Sequence, residues 1–143
     1  MAILTDGFNT IISFPGAGVQ FIEIEVTPPG ADGGGEIDIT GMRNVKWRQR
    51  TPKALITLTK MDVKSRWDPV LYTAVVTNLN VNRAIVTLFP SLTNTPARRL
   101  TWWGWLNKFE PEAMKEGEDP LANLEFIPSN TNAAGAEIAP VLT

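Results

Sequence analysis

The chain has 143 residues and contains neither cysteine nor histidine. Without Cys there is no disulfide framework and no thiolate metal site. Without His, the commonest general base, the commonest metal ligand and the usual pH switch near neutrality are missing. No run approaches the roughly 20 apolar residues of a membrane-spanning helix, so no membrane insertion is expected. The first ten residues, MAILTDGFNT, lack the basic n-region and long apolar h-region of a secretory signal. Synthesis in a cytoplasm, without export by that route, is the expectation. A net charge of −2 with a pI near 5.1 argues against a dedicated DNA binder.

What the chain does hold is an aromatic strand. LTWWGWLNKFEPEAMKEGEDPLANLEFIP, at 100–128, opens on the densest aromatic run in the protein. By strict alternation Trp102, Leu106 and the gap left by Gly104 share one face, and Trp103, Trp105 and Phe109 share the other. Both faces are apolar, which predicts protein on each side. An acidic Gly/Pro turn and a second strand at 121–127, containing Phe126, follow. The antiparallel pair forms either a sandwich core or a surface buried by assembly. Trp47, Trp102, Trp103, Gly104, Trp105, Phe109 and Phe126 are the expected core or interface anchors.

Around this pair the rest of the chain reads as short strands. Strands at 9–14 and 19–26 flank a Pro/Gly turn and form a candidate hairpin, with Ile22, Ile24 and Val26 on one face and Glu23 and Glu25 on the other. Residues 27–36, TPPGADGGGE, are loop only: Pro28 and Pro29 stiffen one end, and Gly33, Gly34 and Gly35 loosen the other. The segment 37–40 is extended again and ends at Gly41. VKWRQR at 45–50 alternates, and 53–63 reads as a longer strand. Asp68 followed by Pro69 is an N-cap and N1 pair, predicting a helix over 69–78 with Leu71, Ala74, Val75 and Asn78 as its stripe. Asn80 and Asn82 suit a turn, 83–89 is a strand closed by Pro90, and 91–96 is a turn. Residues 129–143 carry few large apolar side chains and read as an extended C-terminal arm, disordered alone or ordered on another subunit. The organisation is one domain over 1–128 plus this arm. Its class is mainly β: an antiparallel sandwich or partial barrel with one flanking helix.

Charge is polarised. Arg43, Lys46, Arg48 and Arg50 begin a basic stretch running to Arg66, while Glu110, Glu112, Glu116, Glu118 and Asp119 make an acidic one. Unlike patches on identical copies can attract and orient them; two solvated faces that never meet would give the same pattern. No catalytic, cofactor or metal residue is proposed. The glycines of 30–35 match neither a phosphate-binding P-loop nor a dinucleotide fingerprint, and the acidic run lacks the register of a calcium loop. The basic strands beside Trp47 and Trp67 leave a nucleic-acid surface as an alternative.

Three stretches carry a resemblance: VTPPGADGGGEIDITGMRNVKWR at 26–48, RWDPVLYTAVV at 66–76, and LTWWGWLNKFEPEAMKEGEDPLANLEFIPSN at 100–130. With the order of elements they cover most of the chain, and it resembles the major tail tube proteins of long-tailed bacteriophages. The third stretch is the most specific, an aromatic strand with Trp-Gly, a break at F-x-P, a glycine-acid turn and a strand ending I-P-S-N.

The resemblance implies a structural virion protein and no enzyme. Six copies would form a ring whose sheets join into one β-barrel, and rings would stack into a tail tube in the host cytoplasm. The implied partners are further copies of the chain, a tape-measure protein, a tail terminator and baseplate or tip proteins, with DNA crossing the lumen unbound. The loop at 27–36, including Gly30, Asp32 and Glu36, would reach the adjacent ring, and 129–143 would strap subunits together. A capsid decoration or head–tail connector protein is the nearest alternative, and a small nucleic-acid- or glycan-binding module is a further one.

Overall fold

The computed structural model describes residues 10–15, 20–89 and 98–143. The chain divides into two compact units. One comprises the described parts of Met1–Pro28 with Lys60–Thr143; the other is Pro29–Thr59.

Among its described residues the first unit is a curled antiparallel half-barrel with a single short helix, so the fold is mainly β. Its strands are β1 (Ile11–Ser13), β2 (Glu23–Thr27), β7 (Met61–Arg66), β8 (Arg83–Phe89), β9 (Arg98–Pro111), β10 (Leu121–Pro128) and β11 (Val141–Leu142). The sheet runs β1-β8-β9-β10-β7-β2, with β11 added to β9. β9 is the spine. Its first half pairs β8 on one edge and β11 on the other, and its second half pairs β10. Past β8, the free edge is met at Leu106 by the chain leaving the helix, where the Asn80 N–H donates to the Leu106 carbonyl at 3.0 Å.

The inner face carries the core. Met61, Val63, Ile85, Trp102, Leu106, Ala122, Leu124 and Phe126 are buried there. Each large side chain contributes about 1.5–3 kcal/mol by leaving water. The indole N–H of Trp102 donates to Thr87 Oγ1 at 3.4 Å, which gives the buried ring a polar partner. Phe126 meets Phe14 and Trp102 edge-on, at 5.8 and 6.5 Å between centroids.

The helix starts and ends where the sequence places it. Its first turn, Pro69–Leu71, is 3-10, and α1 (Tyr72–Asn78) follows. Asp68 caps it by accepting the Val70 N–H at 3.0 Å. Val75 is fully buried, and Leu71, Ala74 and Asn78 are half-buried, as the stripe requires.

Five expectations are corrected. First, Phe109 lies on the inner face. The β9–β10 register slips between Glu125 and Phe126, leaving Asn107 as the extra residue; a bulge of one residue reverses every later side chain. Phe109 consequently pairs across from Leu124 and stacks on Trp67 at 5.3 Å. Second, β1 and β2 do not form a hairpin but are the two margins of the sheet. A second bulge, between Glu23 and Glu25, breaks the alternation of β2, so Ile22 and Ile24 are exposed while Phe21 is buried. Third, 53–63 is not one strand: only Thr57–Leu58 and Met61–Arg66 are extended, in different units. Fourth, VKWRQR is mostly an irregular turn, with β5 confined to Arg50–Pro52, and Trp47 is 76% exposed, so of its two expected roles, core or interface anchor, the core one is excluded. Fifth, 129–143 lies on its own chain. Ser129 and Asn130 donate to the Trp103 carbonyl, Asn82 donates to the Thr131 carbonyl at 2.7 Å, and β11 pairs Thr101 and Leu100. Backbone pairing along β9 orders this segment without large apolar groups. The expected turn at 91–96, with Pro90, lies outside the described residues, as do Asn9, Val19 and most of the Pro/Gly turn.

Gly104 is buried between Arg83 of β8 and Pro128 of β10. A Cβ there would lie inside the contact distance of the Ile127 carbonyl oxygen and 2.6 Å from Trp102 Cζ3. Gly104→Val is expected to cost about 1–3 kcal/mol or more through overpacking. A lowered urea midpoint checks this, and a wild-type midpoint would contradict the crowding.

Candidate assembly surfaces

The two sheet margins are the first surface. β1 and β2 each have one paired edge, to β8 and β7 respectively. Curling brings them together: the Ile12 N–H donates to the Glu23 carboxylate at 3.4 Å, and Phe14 and Phe21 lie 6.2 Å apart. Among the described residues no backbone ladder closes this seam. Unpaired strand edges are templates for another strand unless covered. Arg83 braces the β1 side. Its guanidinium donates to the Pro15 carbonyl and to Asn78 Oδ1 and lies over the Phe14 ring at 5.2 Å.

The outer face of the half-barrel is divided. Glu25, Lys64, Asn123 and Glu110 form one cross-strand row, and Thr27, Asp62, Glu125 and Lys108 form the next. Farther along, the row changes to Trp105 beside Ile127 and Trp103 beside Ala84, all half-buried. Ion pairs lace the charged part: Lys60 to Glu125 at 3.5 Å, Lys64 to Glu112 at 3.2 Å and Arg66 to Asp119 at 3.2 Å. The acidic connector is therefore partly neutralised by β7. Glu110, Glu116 and Glu118 have no ion-pair partner among the described residues.

The second unit, Pro29–Thr59, is the other surface. The sequence-predicted loop at 27–36 is only its first limb. β3 (Ala31–Asp32) pairs β6 (Thr57–Leu58), and β4 (Glu36–Asp38) pairs β5 (Arg50–Pro52). The result is a two-stranded ribbon. Its ends abut, since the Thr59 N–H donates to the Gly30 carbonyl at 2.7 Å. Gly33, Gly34 and Gly35 lie between the two short ladders. Gly34 and Gly35 have φ of 79° and 90°, which glycine alone adopts freely, and Asp32 Oδ1 accepts the Gly34 N–H at 2.7 Å. Asn44 builds the tip. Its Oδ1 accepts from the Gly41 N–H at 2.8 Å and its amide donates to the Trp47 carbonyl at 3.2 Å.

The ribbon has almost no core. From residue 31 to 59 only Asn44, Thr51 and Leu58 are not exposed. Met42 and Val45 are fully exposed. Arg48 pairs Asp38 at 3.3 Å and Arg50 pairs Glu36 at 3.4 Å. Hydrogen bonds from Thr40 foremost, then Arg48, hold the Asp38 carboxyl below its ordinary range. Arg43, Lys46 and Lys53 have no carboxylate partner among the described residues.

The structure thus separates what the sequence had grouped. The basic stretch falls into a ribbon half and a β7 half, and Trp67 is packed on Phe109 while Trp47 is out in solvent. Of the expected anchors, Trp102, Gly104 and Phe126 are core, while Trp103, Trp105 and Phe109 are half-buried. Pro29 is buried and Pro28 exposed. The ribbon's second limb was missed because its strands are two or three residues long. The signal that could have found it is the run of exposed-type turn residues, GMRN, between two short extended pieces. Among the described residues, no group of three or more His, Cys, Asp or Glu is placed to hold a metal. No protein-family model matches the chain, and no curated protein matches it.

Glu125 sits at the bulge. The Asn107 amide donates to its Oε1 at 3.0 Å, and this bond foremost, with Lys60 and Lys108 nearby, holds its pKa below the ordinary range despite partial burial. A depressed folded-state pKa gives stability that is full above the unfolded value, about 4.3 for Glu, and is lost as pH falls through the folded value. Glu125→Gln is therefore expected to reduce the drop in urea midpoint between pH 6 and pH 3. An unchanged drop would show that the bulge carboxylate does not report on folding.

Proposed function

We propose that this chain is a structural virion protein, the major tail tube subunit of a long-tailed bacteriophage. In this reading identical copies close into rings, six to a ring by the resemblance, and rings stack into a tube through which DNA passes. The tube is built in the host cytoplasm around a tape-measure protein and is bounded by terminator and tip proteins. It does its work by geometry and needs no catalytic residue or cofactor.

The observation that carries the reading is the combination of an unclosed half-barrel with a coreless, apolar-tipped ribbon. The half-barrel has two margins that no backbone ladder joins among the described residues, and laterally placed copies would complete them. An isolated two-stranded ribbon is marginal in water, and exposed Met42, Val45, Trp47, Leu55 and Ile56 are the composition of a contact surface rather than a solvent-facing one.

Two experiments test it. Electron microscopy of the purified protein over a concentration series is expected to show rings or tubes; a persistent monomer, or a trimer that binds only capsids, would overturn the reading. Because Gly30 and Thr59 abut, residues 31–58 can be replaced by two glycines. The shortened chain is expected to keep the thermal midpoint of the sheet unit and to form no tubes. Tubes of normal length from it would show that the ribbon is dispensable for stacking.

A further inference from the structure

We propose that the ribbon tip docks on the acidic connector between β9 and β10 of a second copy of this chain. The inference rests on the tube reading for the form of the polymer, and on the following surfaces for the contact itself.

The tip presents Met42, Val45 and Trp47, with Trp47 76% exposed. Arg43 and Lys46 flank them, and Lys46 Nζ lies 5.5 Å from the Trp47 ring centroid. The ribbon's acids do not reach these two cations, because Asp38 and Glu36 are taken by Arg48 and Arg50. An aromatic and a methionine beside two cations is an anchor with a basic rim, and such anchors dominate binding when a partner desolvates them.

The connector offers the complement. Glu112 and Asp119 are engaged by Lys64 and Arg66, which fixes the connector to β7 and leaves Glu116 and Glu118 exposed without a cation partner among the described residues. The turn between them is organised by the Glu118 N–H donating to the Lys115 carbonyl at 3.3 Å and by Gly117 at φ 81°. Met114, 56% exposed, supplies an apolar contact in the middle of the acids. Arg43 and Lys46 face Glu116 and Glu118, with Lys115 as the connector's own unpaired cation among the described residues, and each side has apolar area to bury.

A nucleic acid fits the tip less well. Three cations without a carboxylate partner among the described residues, Arg43, Lys46 and Lys53, give a shallow salt dependence and weak phosphate binding, and Arg48 and Arg50 are already paired within the ribbon. Because donor and receiver are different surfaces, the contact is heterologous and propagates from copy to copy. That is the topology a stack of rings requires.

A charge exchange tests the pairing. Arg43→Glu with Lys46→Glu reverses the tip, and Glu116→Lys with Glu118→Lys reverses the connector. Circular dichroism verifies folding, and Arg43→Gln with Lys46→Gln is the milder second variant. Either reversed chain alone is expected to need at least about tenfold more protein to polymerise, since like charges then face each other. A 1:1 mixture of the two is expected to polymerise as wild type does, each reversed tip meeting a reversed connector. Raising NaCl to 1 M, where the Debye length is about 3 Å, should weaken wild type and mixture alike.

Either reversed chain assembling as wild type, or a mixture that stays inert, would overturn the pairing. Should wild type itself form no polymer, the tube reading falls. Sedimentation of the mixed variants then decides the pairing separately: a heterocomplex absent from each variant alone supports it, and its absence overturns it.

Discussion

The fourteen-residue strand β9 takes partners on both edges and departs from regularity at two points, and these departures shape the half-barrel. β9 serves β8, β11, β10 and the chain leaving the helix. Two local departures let it do so. At Gly104, where Arg83 and Pro128 pair from opposite sides, the side chain is deleted so that the Ile127 carbonyl and the Trp102 ring can approach. At Asn107, one residue is added, the strand turns, and its inner and outer faces exchange. Without the first, the packing of Trp102 would be forced apart; without the second, Phe109 would point away from the core it now closes with Trp67 and Phe21. The amide of Asn107 also satisfies the Glu125 carboxylate, so the residue that breaks the ladder supplies a hydrogen bond across the break.

How much of this could be read from the residues depends on the range of the causes. The helix was legible because its determinants are local: Asp68 caps, Pro69 needs no donor, and one stripe is apolar. The eventual burial of Leu71, Ala74, Val75 and Asn78 follows the 3.6-residue period alone. The β9–β10 pair was legible because its connector is short and its strands are long. The parity of Phe109 was not, since a bulge is a decision made jointly by two strands and leaves no period in either. The partnership of β1 and β2 was misread for a similar reason. Their closeness in sequence predicted a hairpin, but each gains more by pairing β8 or β7, and the curl of the sheet restores proximity without hydrogen bonds.

The ribbon shows a different limit. VKWRQR alternates as a strand should, yet alternation signals a half-buried surface only when something lies beneath it. Within Pro29–Thr59 nothing does, so Trp47, Leu55 and Ile56 remain in water. The same holds, inverted, for 129–143. Poor in large apolar groups, it reads as an arm disordered alone or ordered on another subunit, but backbone hydrogen bonds to β9 and side-chain bonds from Asn82 and Ser129 need no apolar area. Composition predicts burial well and backbone pairing poorly.

The distribution of ion pairs joins these points. The five among the described residues are made within a unit: two in the ribbon and three in the sheet unit. Each pair is at least partly solvent-exposed and contributes little stability on its own. Their larger effect is on what they leave over. By consuming Arg48, Arg50, Glu112 and Asp119 locally, they leave, among other charges unpaired among the described residues, two small spots of opposite sign, Arg43 with Lys46 and Glu116 with Glu118. A diffuse field steers without regard to orientation, whereas two compact spots beside apolar side chains favour one register over others. Weak surface pairs that add little to folding can in this way define which parts of a surface remain available for recognition.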